Sequence, residues 1–278
     1  MDKGKLKNII IIILAAVNCF FAALVIVDAA ESASYEKAAY SSLLQALENS
    51  GIKVSEETLQ NTKPVPLCTF SRDLNREQRQ VSSVIGATNA SDQGGNIYMY
   101  YGKNGQACFR GTGEFEILME NDSVKTGSDP LATAEDFMKK QGAELSAGSA
   151  KLKSDNGTIK VTALCSFKGR AIVNCAVDMT FSSKSLLLAS GIKPLTDVRE
   201  DKSTQVIDTA TTVMRLLDLL KNKGYACSEI TGISHLYKMD VSAAGEGTLT
   251  PIWLFATDIG DFYINGVTGK EEIIAQIN

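Results

Sequence analysis

The residues with the clearest chemical potential lie near the end of the chain, in TPIWLFATDIGDFYINGVTG (residues 250–269). There Asp258 and Asp261 bracket an Ile-Gly pair, close to Trp253, the only tryptophan. Two acids three positions apart could offer oxygens to calcium, but a calcium loop needs several more oxygen ligands at alternating positions. A hairpin explains the same residues better. With Asp258 to Asp261 as a four-residue loop, Phe255 faces Ile264 and Trp253 faces Gly266, whose missing side chain leaves room for the indole. Trp253, Phe255, Phe262 and Ile264 then share one face, and one register gathers the large apolar residues together. This stretch is expected to be structural.

Other candidate chemistry is thin. His235 is the only histidine, which excludes a zinc site built on two or three histidines. It sits in a strand-like segment, GISHLYKM, with no nucleophile elbow nearby, so a Ser-His-Asp role is not expected. Catalysis by paired carboxylates needs only two well-placed acids. With 32 acids in the chain, composition cannot single out such a pair. Gly111 opens GTGE, which lacks the third glycine of a dinucleotide fingerprint and reads as a turn. No catalytic, metal or cofactor-binding residue is expected. The net charge of −4 and a pI near 5.2 argue against nucleic acid as a partner.

The elements that would position these residues alternate between helix and strand. Tyr40, Leu43, Leu44 and Leu47 recur at helical spacing over 34–49, and a second helix is expected over 73–86. Strands separated by GKNG and RGTG turns follow up to about residue 120. Thr133 and Asp136 resemble a capping box before a short helix that Gly142 ends. Two strands then flank Lys168-Gly169-Arg170, read as a three-residue loop with Phe167 opposite Ala171. Alternation places Ala171, Val173, Cys175, Val177 and Met179 on one face. A longer helix over 203–222 precedes three more strands. The expected class is α+β, with helix-then-antiparallel-sheet units.

At the other end, Ile9 to Val27 runs for 19 residues without a charge, preceded by Lys3, Lys5 and Lys7 and followed by Asp28 and Glu31. As a helix this would span about 28 Å, close to the hydrocarbon thickness of a bilayer. The charge asymmetry places the N-terminus in the cytoplasm and the remainder outside. The run is longer than the core of a signal peptide, although VDAAES offers small residues at which cleavage could occur. The expected divisions are a cytoplasmic tail (1–8), a transmembrane helix (9–27), a membrane-proximal α+β domain (28–126) and a C-terminal α+β region with two helix-then-sheet units (127–278). Ala15, Asn18, Cys19, Ala22 and Ile26 fall on one face of the expected span, where an Asn and small residues suit contact with a partner helix. Outside it are Cys68, Cys108, Cys165, Cys175 and Cys227, with no CxxC; they read as free thiols, with one bridge left open.

These features resemble the YycI/YycH-type regulatory proteins of Gram-positive bacteria. The resemblance rests on the opening MDKGKLKNIII, the Asn-containing LAAVNCFFAALVI and the closing PIWLFATDIGDFYINGVTG. The closing segment is also similar to the last hairpin of PepSY-type modules, through Tyr263-Ile264-Asn265-Gly266-Val267-Thr268-Gly269. The resemblance implies a non-enzymatic accessory protein at the cell membrane. Its implied partners are the sensor histidine kinase of a two-component system controlling cell-wall metabolism and a paralogous accessory protein, with Asn18 and its helix face toward the kinase. The alternative is a PepSY-like extracytoplasmic binding module that inhibits a peptidase or senses an envelope ligand.

Overall fold

A computed structural model of the chain describes residues 38–274, apart from 121, 128, 197 and 243. The chain divides into two compact units, Met1–Lys53 and Val54–Asn278. In the first, the described residues contain helix α1 (38–49).

The remaining elements follow in order: β1 (Lys53–Val54), α2 (Glu56–Asn61), β2 (Cys68–Ser71), α3 (Leu74–Ile85), β3 (Asn89–Asp92), β4 (Ile97–Gly102), β5 (Gly105–Arg110) and β6 (Glu114–Met119). Then come α4 (Pro130–Lys140), β7 (Glu144–Leu145), β8 (Lys151–Asp155), β9 (Thr158–Phe167), β10 (Arg170–Phe181), β11 (Leu186–Ile192) and β12 (Arg199–Glu200). The chain closes with α5 (Thr209–Lys223), β13 (Glu229–Val241), β14 (Glu246–Thr257) and β15 (Gly260–Asn265).

The expected succession of helix-then-antiparallel-sheet, PepSY-like units is not what forms. Among the described residues fifteen strands make one mixed sheet, whose main path runs β12-β2-β14-β13-β10-β11-β6-β5-β4-β3. The departure is caused by β10. Its second half pairs antiparallel with β9 and β11, from Ala176↔Leu164 onward. Between Ala171 and Ala176 its register against β9 breaks, and there Ile172 pairs with Tyr237 of β13 in parallel. Asn174 completes the joint with its side-chain amide: Nδ2 donates to the Met239 carbonyl (2.6 Å), and Oδ1 accepts from the Met239 N–H (2.8 Å). A side chain thus substitutes for ladder hydrogen bonds where a bulge has removed them. The expected alternation accordingly holds from Cys175 to Met179 but fails before it, where Ile172 is buried in place of Ala171 and Val173.

The β9–β10 turn also differs from expectation. Arg170 pairs with Phe167, so the loop is Lys168-Gly169 alone. Both residues have positive φ, 50° and 75°, as a type I′ turn requires. A lysine at such a position gives little sequence signal, because Asn and Asp favour it far more strongly.

The helices form largely where the apolar spacing places them, and polar caps set their ends. Helix α3 is capped by Asp73, whose carboxylate accepts from the Arg76 N–H, and it buries Glu77, Val81, Val84 and Ile85. Helix α4 starts at Asp129 with Pro130 in its first turn, four residues before the expected Thr133 cap. Helix α5 starts at Asp208 and ends at Gly224, which is left-handed, and so excludes Val206 from its expected apolar face. Helix α2 has no apolar periodicity to announce it; its signals are the Ser55 cap and acids in its first turn.

The expected single-pass membrane location is not upheld. Among the described residues no helix is long and apolar enough to cross a membrane. The 9–27 segment, on which that expectation rests, lies outside the described residues.

Replacing Asn174 with Ala removes both amide bonds and leaves two backbone groups of buried Met239 without partners. The expected loss is about 2–5 kcal/mol, at roughly 1–3 kcal/mol per orphaned group plus the bond itself. Urea unfolding would measure it, and a change under about 0.5 kcal/mol would show that the joint is dispensable.

Candidate functional site

The C-terminal hairpin closes more tightly than expected. Thr257 pairs with Gly260, Phe255 with Phe262 and Trp253 with Ile264, so only Asp258 and Ile259 form the loop. A register shift of two residues keeps every side chain on its face. Trp253, Phe255 and Ile264 are therefore buried together and Phe262 half-buried, while Gly266 lies against Pro251 rather than Trp253. The Gly266 N–H donates to the Pro251 carbonyl at 2.7 Å, and an added Cβ would come within 2.9 Å of that oxygen. Close backbone approach, and not space for the indole, is what glycine permits here.

Asp258 is a latch. Its carboxylate accepts from the Ser228 N–H (3.0 and 3.1 Å), the Ser228 hydroxyl (2.6 Å) and the Glu229 N–H (3.3 Å), which ties the hairpin tip to the start of β13. These bonds, led by the Ser228 hydroxyl, pull its carboxyl down to about 2. Every strong donor around it belongs to the chain itself. Among the described residues, no group of three or more His, Cys, Asp or Glu side chains is placed to hold a metal ion.

Beside this hairpin stands His235. It pairs with Trp253 across β13 and β14, and the two rings lie 4.1 Å apart at 52°. Only 9% of the residue is exposed, and Nε2 has no hydrogen-bond partner among the described residues. Burial, reinforced by the nearby Arg170 guanidinium, lowers its pKa to about 4, so the ring is neutral at pH 7. Leaving such an atom unpaired typically costs about 1–3 kcal/mol. His235 is one of the residues lining an open groove of about 550 Å³, together with Thr62, Lys63, Lys168, Arg170 and Ser234. Lys168 is paired with Glu200. No residue lining the groove is acidic.

A second polar cluster is buried elsewhere in the sheet. Arg72 grips Glu77 with two bonds of 2.8 and 2.7 Å, and the Tyr100 hydroxyl donates to the same carboxylate at 2.7 Å. Another Arg72 nitrogen donates to the backbone and side-chain oxygens of Asn96, and the guanidinium lies over the Tyr98 ring. Burial and the Glu77 carboxylate both raise the Tyr100 phenol, so it stays a donor. Lys193 is buried near this cluster with its pKa lowered by desolvation, and its ammonium sits 5.6 Å from the Phe109 ring centre. Sequence reading missed this cluster, because Arg72-Asp73-Leu74-Asn75-Arg76-Glu77 looks like an ordinary charged helix start. The only available signal was that Glu77 shares a helical face with Val81 and Val84.

The five described cysteines are free thiols. Burial pushes Cys165 up to about 12 and raises Cys175 as well, which keeps both protonated and unreactive. Ala15, Asn18, Cys19, Ala22 and Ile26 lie outside the described residues.

No family model and no curated protein matches the chain. A solved structure of an uncharacterized protein from Eubacterium rectale ATCC 33656 is similar, with a TM-score of 0.42 and 10% identity over 76% of this chain and 86% of that one. Likeness at that level bears on neither function nor partners.

Two outcomes follow from these sites. Breaking the buried pair with Glu77→Gln should cost about 3–5 kcal/mol in denaturant unfolding, because Arg72 would remain buried without its counter-charge. Asp258 contributes stability that is present above an unfolded carboxyl's value near 3.9 and lost as pH falls toward about 2. The stability gap between the wild type and Asp258→Asn should therefore close over that window. A gap that stayed constant from pH 5 to pH 2 would remove the latch from the account.

Proposed function

We propose that this chain is a non-catalytic regulatory protein that works by contact with a signalling partner. The observation that carries the contact reading is a surface. On the outer face of the sheet, Tyr101, Gln106, Leu118 and Leu188 stand side by side across β4, β5, β6 and β11. Tyr101 is 57% and Leu118 47% exposed, so the row offers apolar area to solvent beside the polar Gln106. The next row brings Met99, Cys108, Glu116 and Ser190 together in the same way. A flat, mixed face of this kind suits a protein partner better than a small substrate.

The non-catalytic reading is supported by His235, which among the described residues is hydrogen-bonded to neither a nucleophile nor an orienting acid. The partner is supported by the resemblance of the closing hairpin and the opening segment to the YycI/YycH-type proteins: a sensor histidine kinase of a cell-wall two-component system. A paralogous accessory protein is the second partner the same resemblance suggests.

Photocrosslinking from position 106, between Tyr101 and Leu118 in the same row, should capture a histidine kinase in cells. The double variant Tyr101→Ser, Leu118→Asp should weaken that capture about tenfold or more, equivalent to ~1.4 kcal/mol, with the melting temperature little changed. Capture unaffected by the variant would remove the outer face from the proposal. Turnover of wall fragments by the purified protein, lost on one acid-to-amide change, would replace regulation with hydrolysis.

A further inference from the structure

The groove at His235 is built from three separate parts of the chain. Thr62 and Lys63 follow α2, Lys168 lies in the β9–β10 turn with Arg170 opening β10, and Ser234 and His235 lie on β13. Their chemistry has one sign. Three cationic side chains line the groove, and Glu200 neutralises only Lys168. Arg170, half-buried, donates a single long bond of 3.5 Å to the Lys168 carbonyl, so most of its five donors are uncommitted. The Ser234 hydroxyl adds a short-range donor, whereas the Thr62 hydroxyl donates to the Thr58 carbonyl at 2.7 Å. Beside them His235 is nine-tenths buried, with Nε2 unpartnered among the described residues. A concave site with an unspent guanidinium, an ammonium (Lys63) that has no ion-pair partner among the described residues, a free hydroxyl and no carboxylate in its lining is complementary to an oxyanion.

We propose that this groove binds a small molecule bearing an oxyanion, a carboxylate or a phosphate, through Arg170 and Lys63, with Ser234 as a hydroxyl donor and His235 as the neighbour that senses it. The groove volume of about 550 Å³ exceeds that of a bare ion and leaves room for the body of a metabolite-sized ligand. Burial holds the His235 titration down, and the charge of Arg170 adds to it. An anion seated against Arg170 offsets that charge and favours the imidazolium, so occupancy draws a proton onto the ring. The other charged groups lining this side are Lys63 and Lys168, with Glu200 paired to Lys168. The imidazole lies against Trp253, so a change in its protonation is passed to the indole. Ligand binding here neither requires a kinase partner nor is required by one.

The sequence makes the test unusually clean, since the chain has one histidine and one tryptophan and they are in contact. The full-length protein would be titrated at constant ionic strength with inorganic phosphate and, separately, with succinate, using chloride as the control. Indole emission and the imidazole NMR signals would be followed. The expected result is a saturable change with at least one of the two oxyanions and none with chloride, together with an upward shift of the His235 titration. Arg170→Gln should weaken binding at least about tenfold. Lys63→Gln, at an exposed position, should weaken it about threefold and keeps the test decisive if the Arg170 variant does not fold. Lys184→Gln, exposed and beyond the opposite end of β10 from Arg170, should leave affinity unchanged. Saturation with phosphate alone assigns a phosphate-bearing ligand, and with succinate alone a carboxylate. A response matched by chloride, no saturable response to either oxyanion, or undiminished affinity in folded Arg170→Gln or Lys63→Gln would overturn the proposal.

Discussion

The architecture turns on a few residues in the middle of β10. A strand can satisfy only two neighbours along one stretch, yet β10 pairs with β9, β11 and β13. It does so by leaving β9 at Ala171 and resuming at Ala176, and in that gap it meets β13. The bulge orphans backbone groups, and the Asn174 amide recovers those of Met239 with one donor and one acceptor. Cys175 and Met239 then bring their sulfurs to 3.6 Å in the core directly beneath. Two antiparallel assemblies become one sheet because one side chain has the hydrogen-bonding pattern of a peptide group.

Around that joint the polar interior is organised by pairing. Arg72, Glu77 and Tyr100 satisfy one another below the outer face, at the junction of α3 with β4 and β5. On the other side, Asp258 spends its carboxylate on Ser228 and Glu229 and so fixes where β13 begins relative to β14. His235 differs: it is buried, neutral and unpaired at Nε2 beside cations, one of several buried polar atoms without a partner among the described residues. What sets His235 apart is its place: its unpaired nitrogen belongs to a residue that lines a groove rich in cations.

Much of the local structure was legible. Apolar spacing located α3 and α5 to within a few residues, and alternation located β4 to β6 and β13 to β15. Faces were read better than registers. The closing hairpin is two residues tighter than its expected loop, yet Trp253, Phe255, Phe262 and Ile264 remain on one face, because side-chain direction repeats every two residues. The β9–β10 turn was misjudged for a conformational reason: Lys168 adopts positive φ, which its residue type does not advertise. Aspartates missed as caps, at positions 129 and 208, extended or shifted helix starts by several residues.

By itself the sequence determined the periodicities, hence which residues turn inward, and the single histidine that excludes a zinc site built on two or three histidines. Those are local or compositional properties, set by backbone geometry within a few residues. Only the tertiary structure decided that the strands form one sheet, that Arg72 and Glu77 lock to Tyr100, and that Lys63, Arg170 and His235 share a groove. Each of these depends on residues brought together from 23 to 172 positions apart. Nothing in a local pattern encodes such meetings; they follow from where β10 changes partner.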